Sequence, residues 1–242
     1  MRGGLMIFRK FILCAAAAGF NALTLVAVPD DIPAWKEDFP FSGANGEKTL
    51  PKGWDLKTKI GIPAAEIYLA KEEKDNSSFL RMESDRSSAS IICKLEKINL
   101  RETPILRWRW KVNVLPEGAD GRYEKKDDQP IGIYLGNGNV FLKKSVSYRW
   151  DTDTPKGSEG NCVYGVGTIK IKWFTLRNKE DASGEWFIEE RNVAEDFYKA
   201  WGYYPEDVYV SISCNSQYTG GKASADLNWI EIASVSTQKD KK

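Results

Sequence analysis

The run Leu106-Arg107-Trp108-Arg109-Trp110-Lys111-Val112 alternates apolar and basic residues without a fault. A period of two is the signature of a β-strand with one buried face. Leu106, Trp108, Trp110 and Val112 therefore point one way and Arg107, Arg109 and Lys111 the other. A strand that commits two tryptophans to one side needs a second layer to cover them.

The rest of the chain repeats this grammar. Short β-branched or aromatic runs occur at 66–70, 79–82, 89–94, 105–112, 131–135, 145–150, 168–176, 185–190, 208–214 and 227–233. They are separated by turn residues: Pro116-Glu117-Gly118, Asn137-Gly138, Ser183-Gly184 and Gly220-Gly221. Ten such runs, with neither an internal repeat nor a Pro/Ser-rich linker, predict one all-β domain over 28–235: a β-sandwich, jelly-roll-like, which by analogy of fold resembles carbohydrate-binding modules. One helix is expected near 193–201. Asn192 can cap it, Glu195 stands at N3 to complete a capping box, Val193, Phe197 and Trp201 share a face, and Gly202 follows as the terminating residue.

Residues 1–27 read as a secretory signal peptide. Arg2, Arg9 and Lys10 precede the apolar run from Phe11 to Phe20, with cleavage expected near Ala27. The protein is then periplasmic or extracellular, with no membrane span after cleavage. Removing this segment takes away three basic residues and no acidic ones, leaving 32 basic against 34 acidic. That balance argues against nucleic acid as a partner. Residues 236–242 read as a disordered basic tail. Of the three cysteines that remain, Cys93, Cys162 and Cys214, any two could pair, or all could stay buried thiols.

The chain contains no histidine. Ser-His-Asp and Cys-His nucleophiles, histidine zinc sites and a histidine base are all excluded. Asp151-Thr152-Asp153 opens like a calcium loop, but Pro155, Gly157 and Cys162 stand at the wrong places to continue it. Asp151 and Asp153 are thus weak candidates for an irregular structural calcium site, and no other cofactor is expected. Glu189 and Glu190 alternate to opposite faces and so cannot form the carboxylate pair of a glycosidase.

If the strands around Trp108, Ile133 and Tyr148 are neighbours, their outer face carries Arg107, Arg109, Tyr134, Ser147 and Arg149, with a gap at Gly132 and with Asp127 and Asp128 nearby. Guanidinium groups, acids and an exposed ring are what a sugar-binding sheet uses. The same inventory fits a solvated face with cross-strand ion pairs. The candidate ligand-binding residues are Arg107, Arg109, Asp127, Asp128, Tyr134 and Arg149. The expected function is non-catalytic binding of an envelope or extracellular glycan. Holding a protein partner in envelope assembly, and histidine-independent glycan cleavage, are the alternatives.

The ordered succession 106–112, Pro116-Glu117-Gly118-Ala119-Asp120, Asp127-Asp128, Ser147-Tyr148-Arg149-Trp150 and Arg191-Asn192-Val193-Ala194-Glu195-Asp196 resembles the exported bacterial proteins grouped as domain of unknown function 3047. The resemblance runs from Trp35 to Ile232. It implies an exported β-rich domain and no mechanism.

Overall fold

Period-two patterning at this density produces two stacked sheets. The computed structural model describes residues 32–41, 48–72, 76–138 and 143–235. The expected leader, Cys14 and the basic tail lie outside the described residues. The first sheet contains β1 (Trp35–Glu37), β3 (Glu66–Lys71), β4 (Ser78–Asp85), β6 (Ile105–Val114), β11 (Phe187–Asn192) and β13 (Lys222–Ala233). Its order is β11-β6-β13-β4-β3, with β1 also paired to β13. The second contains β2 (Asp55–Thr58), β5 (Ser88–Leu95), β7 (Gln129–Gly138), β8 (Lys143–Trp150), β9 (Glu159–Tyr164), β10 (Ile169–Arg177) and β12 (Val208–Asn215), ordered β2-β5-β12-β7-β8-β10-β9. Pairing is antiparallel except between β8 and β10.

All ten expected runs form strands, in a jelly-roll-like sandwich. The strands β1, β2 and β9 had no expectation. The first two have three and four residues, and β9 lies at an edge with exposed alternate positions, so none carries a buried apolar stripe. Asn137-Gly138, expected as a turn, instead ends β7, where both residues still pair with β8.

The core is an aromatic ladder between the sheets. Trp108 of β6 stacks on Tyr148 of β8 with ring centroids 5.2 Å apart, and Trp110 meets Trp150 edge-on at 5.6 Å. All four residues are fully buried. Burial of such rings stabilises by several kcal/mol each, about 3–5 kcal/mol on truncation to alanine. The helix α1 (Val193–Trp201) forms as patterned. Asn192 accepts a hydrogen bond from the Glu195 backbone, and Gly202 takes the left-handed conformation at φ 79°. Phe197 is fully buried and Trp201 only partly, while the Tyr148 hydroxyl donates to Asp196 at 2.7 Å, tying α1 to the second sheet. Cys93, Cys162 and Cys214 are free thiols.

One expectation fails at the level of pairing. The inward and outward assignments of 106–112 hold, but β6 belongs to the first sheet, between β11 and β13, whereas β7 and β8 adjoin each other in the second. The outer face proposed for all three strands is therefore two faces on opposite sides of the molecule. Alternation specifies which side of a strand is buried and carries no information about its neighbour.

Candidate functional site

The outer face of the second sheet holds a cleft of about 510 Å³. Successive cross-strand partners build its floor: Lys57 pairs with Ser90, Ser90 with Ser213, Ser213 with Gly132, Gly132 with Arg149 and Arg149 with Thr175. Alternate residues of β5 and β12 send Ser90, Ser211 and Ser213 to this side, while Ile91, Val210 and Ile212 fill the core.

Aromatic rings lie flat on this floor because glycines leave room for them. A Cβ at Gly132 would stand 2.9 Å from the Tyr134 ring, one at Gly136 2.3 Å from Tyr209, and one at Gly160 2.3 Å from Trp173. Tyr209 is the direct cross-strand partner of Gly136, and Trp173 of Gly160. An aromatic covering a strand glycine restores the packing that the missing side chain forfeits. The gap anticipated at Gly132 is thus filled by Tyr134, whose ring is half-buried rather than exposed. Tyr164 and Tyr218 complete the aromatic lining. Burial raises the hydroxyl pKa values of Tyr134, Tyr164, Tyr209 and Tyr218, that of Tyr209 to about 12. All four remain neutral donors at physiological pH.

Beneath the rings sits a buried ion pair. Arg149 donates to Asp127 at 2.8 Å, and both side chains are almost wholly inaccessible. Gln129 donates to the same carboxylate at 2.7 Å, and the Tyr164 hydroxyl donates to its other oxygen. Burial, the largest single influence, would lower the Arg149 pKa; Asp127, together with Tyr134, Cys162 and Asp151, outweighs it, so the guanidinium pKa is raised. Asp151 lies behind, accepting from Thr175 at 2.7 Å, and burial raises its pKa against the opposing pull of Arg149. Ser147 Oγ, Arg149 Nε and Asp151 Oδ1 are buried without hydrogen-bond partners. Gly121 packs against the cluster: a Cβ there would lie 3.1 Å from Arg149 and 3.3 Å from Asp127.

Asp128 does not face the cleft. Its carboxylate accepts from the backbone N–H groups of Tyr218 and Thr219, at 2.9 and 2.7 Å, and from Asn215 at 2.9 Å. It pins the loop that carries Tyr218. Lys59 faces the Tyr218 ring at 5.6 Å, and desolvation lowers its ammonium pKa against the pull of Asp127 and Asp128.

Of the six candidates, the structure brings Asp127, Tyr134 and Arg149 together. Arg107 and Arg109 lie on the outer face of the first sheet. There Arg107 pairs with Glu190 at 2.6 Å and Glu231 at 3.5 Å, and Arg109 bonds Asn228 at 3.0 Å and stacks over Trp186. Arg107 is thus a buried member of a cross-strand ion-pair network and Arg109 is held by an amide and a ring, away from the cleft. Asp153 is separate from Asp151 and pairs with Lys179 at the surface. No group of three acidic or cysteine side chains placed to hold a metal occurs among the described residues.

Several lining residues were not anticipated. The serine alternation of β5 and β12 was present in the sequence as a signal. Tyr164 had none, because β9 was not recognised as a strand. Lys59 and Lys143 enter only through the packing of the sheet.

No curated protein matches the chain in sequence. Among solved structures, the xyloglucanase domain of NopAA from Sinorhizobium fredii is 10% identical, covers 84% of this chain and 100% of its own, and superposes with a TM-score of 0.42. A family 11 carbohydrate-binding module of Clostridium thermocellum is 9% identical over 80% of this chain and 97% of its own, at 0.38. The enzymatically active domain of tailspike protein 4 of bacteriophage CBA120 is 8% identical over 75% of this chain at 0.36, and this chain spans only 19% of it. At such distances no ligand or chemistry carries across. The family model described as protein of unknown function DUF3047 matches residues 52–231, from just before β2 into β13. The chain belongs to that family.

Proposed function

We propose that this is an exported, non-catalytic glycan-binding protein whose ligand lies in the cleft of the second sheet. The observation that carries the reading is the platform of Tyr134 and Tyr209, laid flat on Gly132 and Gly136 and bordered by Ser90, Ser211 and Ser213. Flat rings take the apolar face of a sugar, and the hydroxyls beside them exchange hydrogen bonds with its edge. The lining contains one carboxylate, Asp127, already engaged by Arg149, Gln129 and Tyr164. Hydrolysis by a carboxylate pair needs a second acid across the cleft, so binding is favoured over cleavage. Export rests on residues 1–27, and the intact mass of the chain recovered from the envelope checks whether they have been removed.

The test is a glycan array followed by titration of the retained glycan. Tyr209→Ala should weaken binding about tenfold or more, the loss of roughly 1.4 kcal/mol of contact. Arg109→Ala, on the opposite sheet, should leave affinity unchanged. Retention of no glycan, or equal losses from both substitutions, overturns the assignment.

A further inference from the structure

Resting on the glycan reading above, we infer that the cleft takes an anionic polysaccharide, a chain bearing uronate or other acidic groups, whose charges are met by Lys59 and Lys143. The cationic side chains of the lining are Lys57, Lys59 and Lys143, against the single carboxylate of Asp127. That carboxylate is not free to repel an acid, because its charge is matched by Arg149 and its lone pairs are occupied by Gln129 and Tyr164. Lys57 reaches Asp55 at 3.4 Å, whereas Lys59 and Lys143 make no ion pair among the described residues. Lys59 feels Asp127 and Asp128 without bonding either. Among the lining side chains cations therefore outnumber carboxylates and Lys143 is the least opposed of them, over a floor of rings and buried strand that concentrates the field.

The groove between β10 and α1 is the useful contrast. It is similar in size, about 530 Å³, and also carries charge. Yet Arg191 is bound to Asp196, Lys199 to Glu195 and Lys172 to Glu159. Nothing is left over there for an ionic ligand.

The two lysines are also placed apart. Lys143 opens β8 and Lys59 follows β2, four strands away in the sheet order, which is about 19 Å across the sheet at the ordinary strand spacing. The two also lie toward opposite ends of the strands: Lys143 pairs with Gly138, whereas Thr58 is in the row of Ala89 and Cys214, level with the Trp150 end of β8. A ligand reaching both must be a chain of several sugars running obliquely over the strands, past Tyr209 and Tyr134. A single acidic monosaccharide could touch only one. Tyr218, held through its backbone by Asp128, backs Lys59 and limits the positions its ammonium can take. Asp128 is in this sense a positioning residue.

The experiment titrates the full chain with polygalacturonate, alginate and hyaluronan, each beside its carboxyl-reduced neutral form, at low and high salt. The acidic form of at least one polymer should bind about tenfold or more tightly than its reduced form, with an advantage that shrinks as salt rises. The double variant Lys59→Gln, Lys143→Gln should lose that advantage and its salt dependence while keeping its affinity for the neutral form. The double Lys→Arg variant should restore the preference. Equal affinity for acidic and reduced forms, or a preference that survives the double Lys→Gln change, overturns the inference and leaves the glycan reading standing. Failure of every polymer and every array glycan to bind overturns both.

Discussion

The two outer faces of the sandwich use similar residues in opposite ways. On the first sheet, charges are consumed by neighbours: Arg81 and Lys111 share Asp226, Arg107 lies between Glu190 and Glu231, and Arg109 rests on Trp186 beside Asn228. On the second, the charge in the floor is buried and closed in on itself, while two of the cleft lysines, Lys59 and Lys143, form no ion pair among the described residues. A face whose charges are matched strand to strand leaves no charge over for a ligand. One that lays rings on glycines and leaves cations over is built to receive something. The difference lies in pairing and not in composition, since both faces contain arginine, acid and aromatic side chains.

The sharpest way to break this comparison is to remove acids from the two faces one at a time. Asp127→Ala strands a buried guanidinium and should cost about 3–5 kcal/mol in guanidinium chloride unfolding. A loss near zero would mean that the floor is solvated after all. Asp151→Asn should act in the opposite direction. Burial raises its pKa above the usual 3.8, so the folded state binds this proton more tightly than the unfolded chain does. The carboxyl then favours the fold below the usual value, and that advantage is lost as pH rises through the raised value. The Asn variant should accordingly melt higher at pH 7, by about 2–4 °C for a domain of this length, with the gain fading toward pH 4. A melting temperature difference that does not change with pH would exclude this account. The smallest effect belongs to the first sheet. Glu190→Ala removes an exposed partner of Arg107, which retains Glu231, and should change stability by less than about 1 kcal/mol.

Much of the molecule was legible along the chain. Strand positions, the burial of Trp108, Trp110, Tyr148 and Trp150, and the capped helix at 193–201 follow from local periodicity and capping chemistry, which neighbouring residues dictate. Tyr134 over Gly132 is also local, two residues apart on one face of β7. Pairing was not legible. Placing β6 beside β7 joined Arg107 and Arg109 to Tyr134 and Arg149, whereas β6 lies between β11 and β13.

By itself, the sequence determined that this chain makes a two-layer β structure with an aromatic core, and which side of each long strand faces inward. Tertiary structure decided what the outward side chains do. Tyr209 meets Gly136 only through register between strands distant in sequence, Trp173 meets Gly160 through the register of the β9–β10 hairpin, and Tyr164 reaches Asp127 across 37 positions. Lys59 and Lys143 come to one cleft by the same long-range order. Alternation is a property of one strand and a binding face is a property of several, so the cleft exists only once the strands have chosen their neighbours.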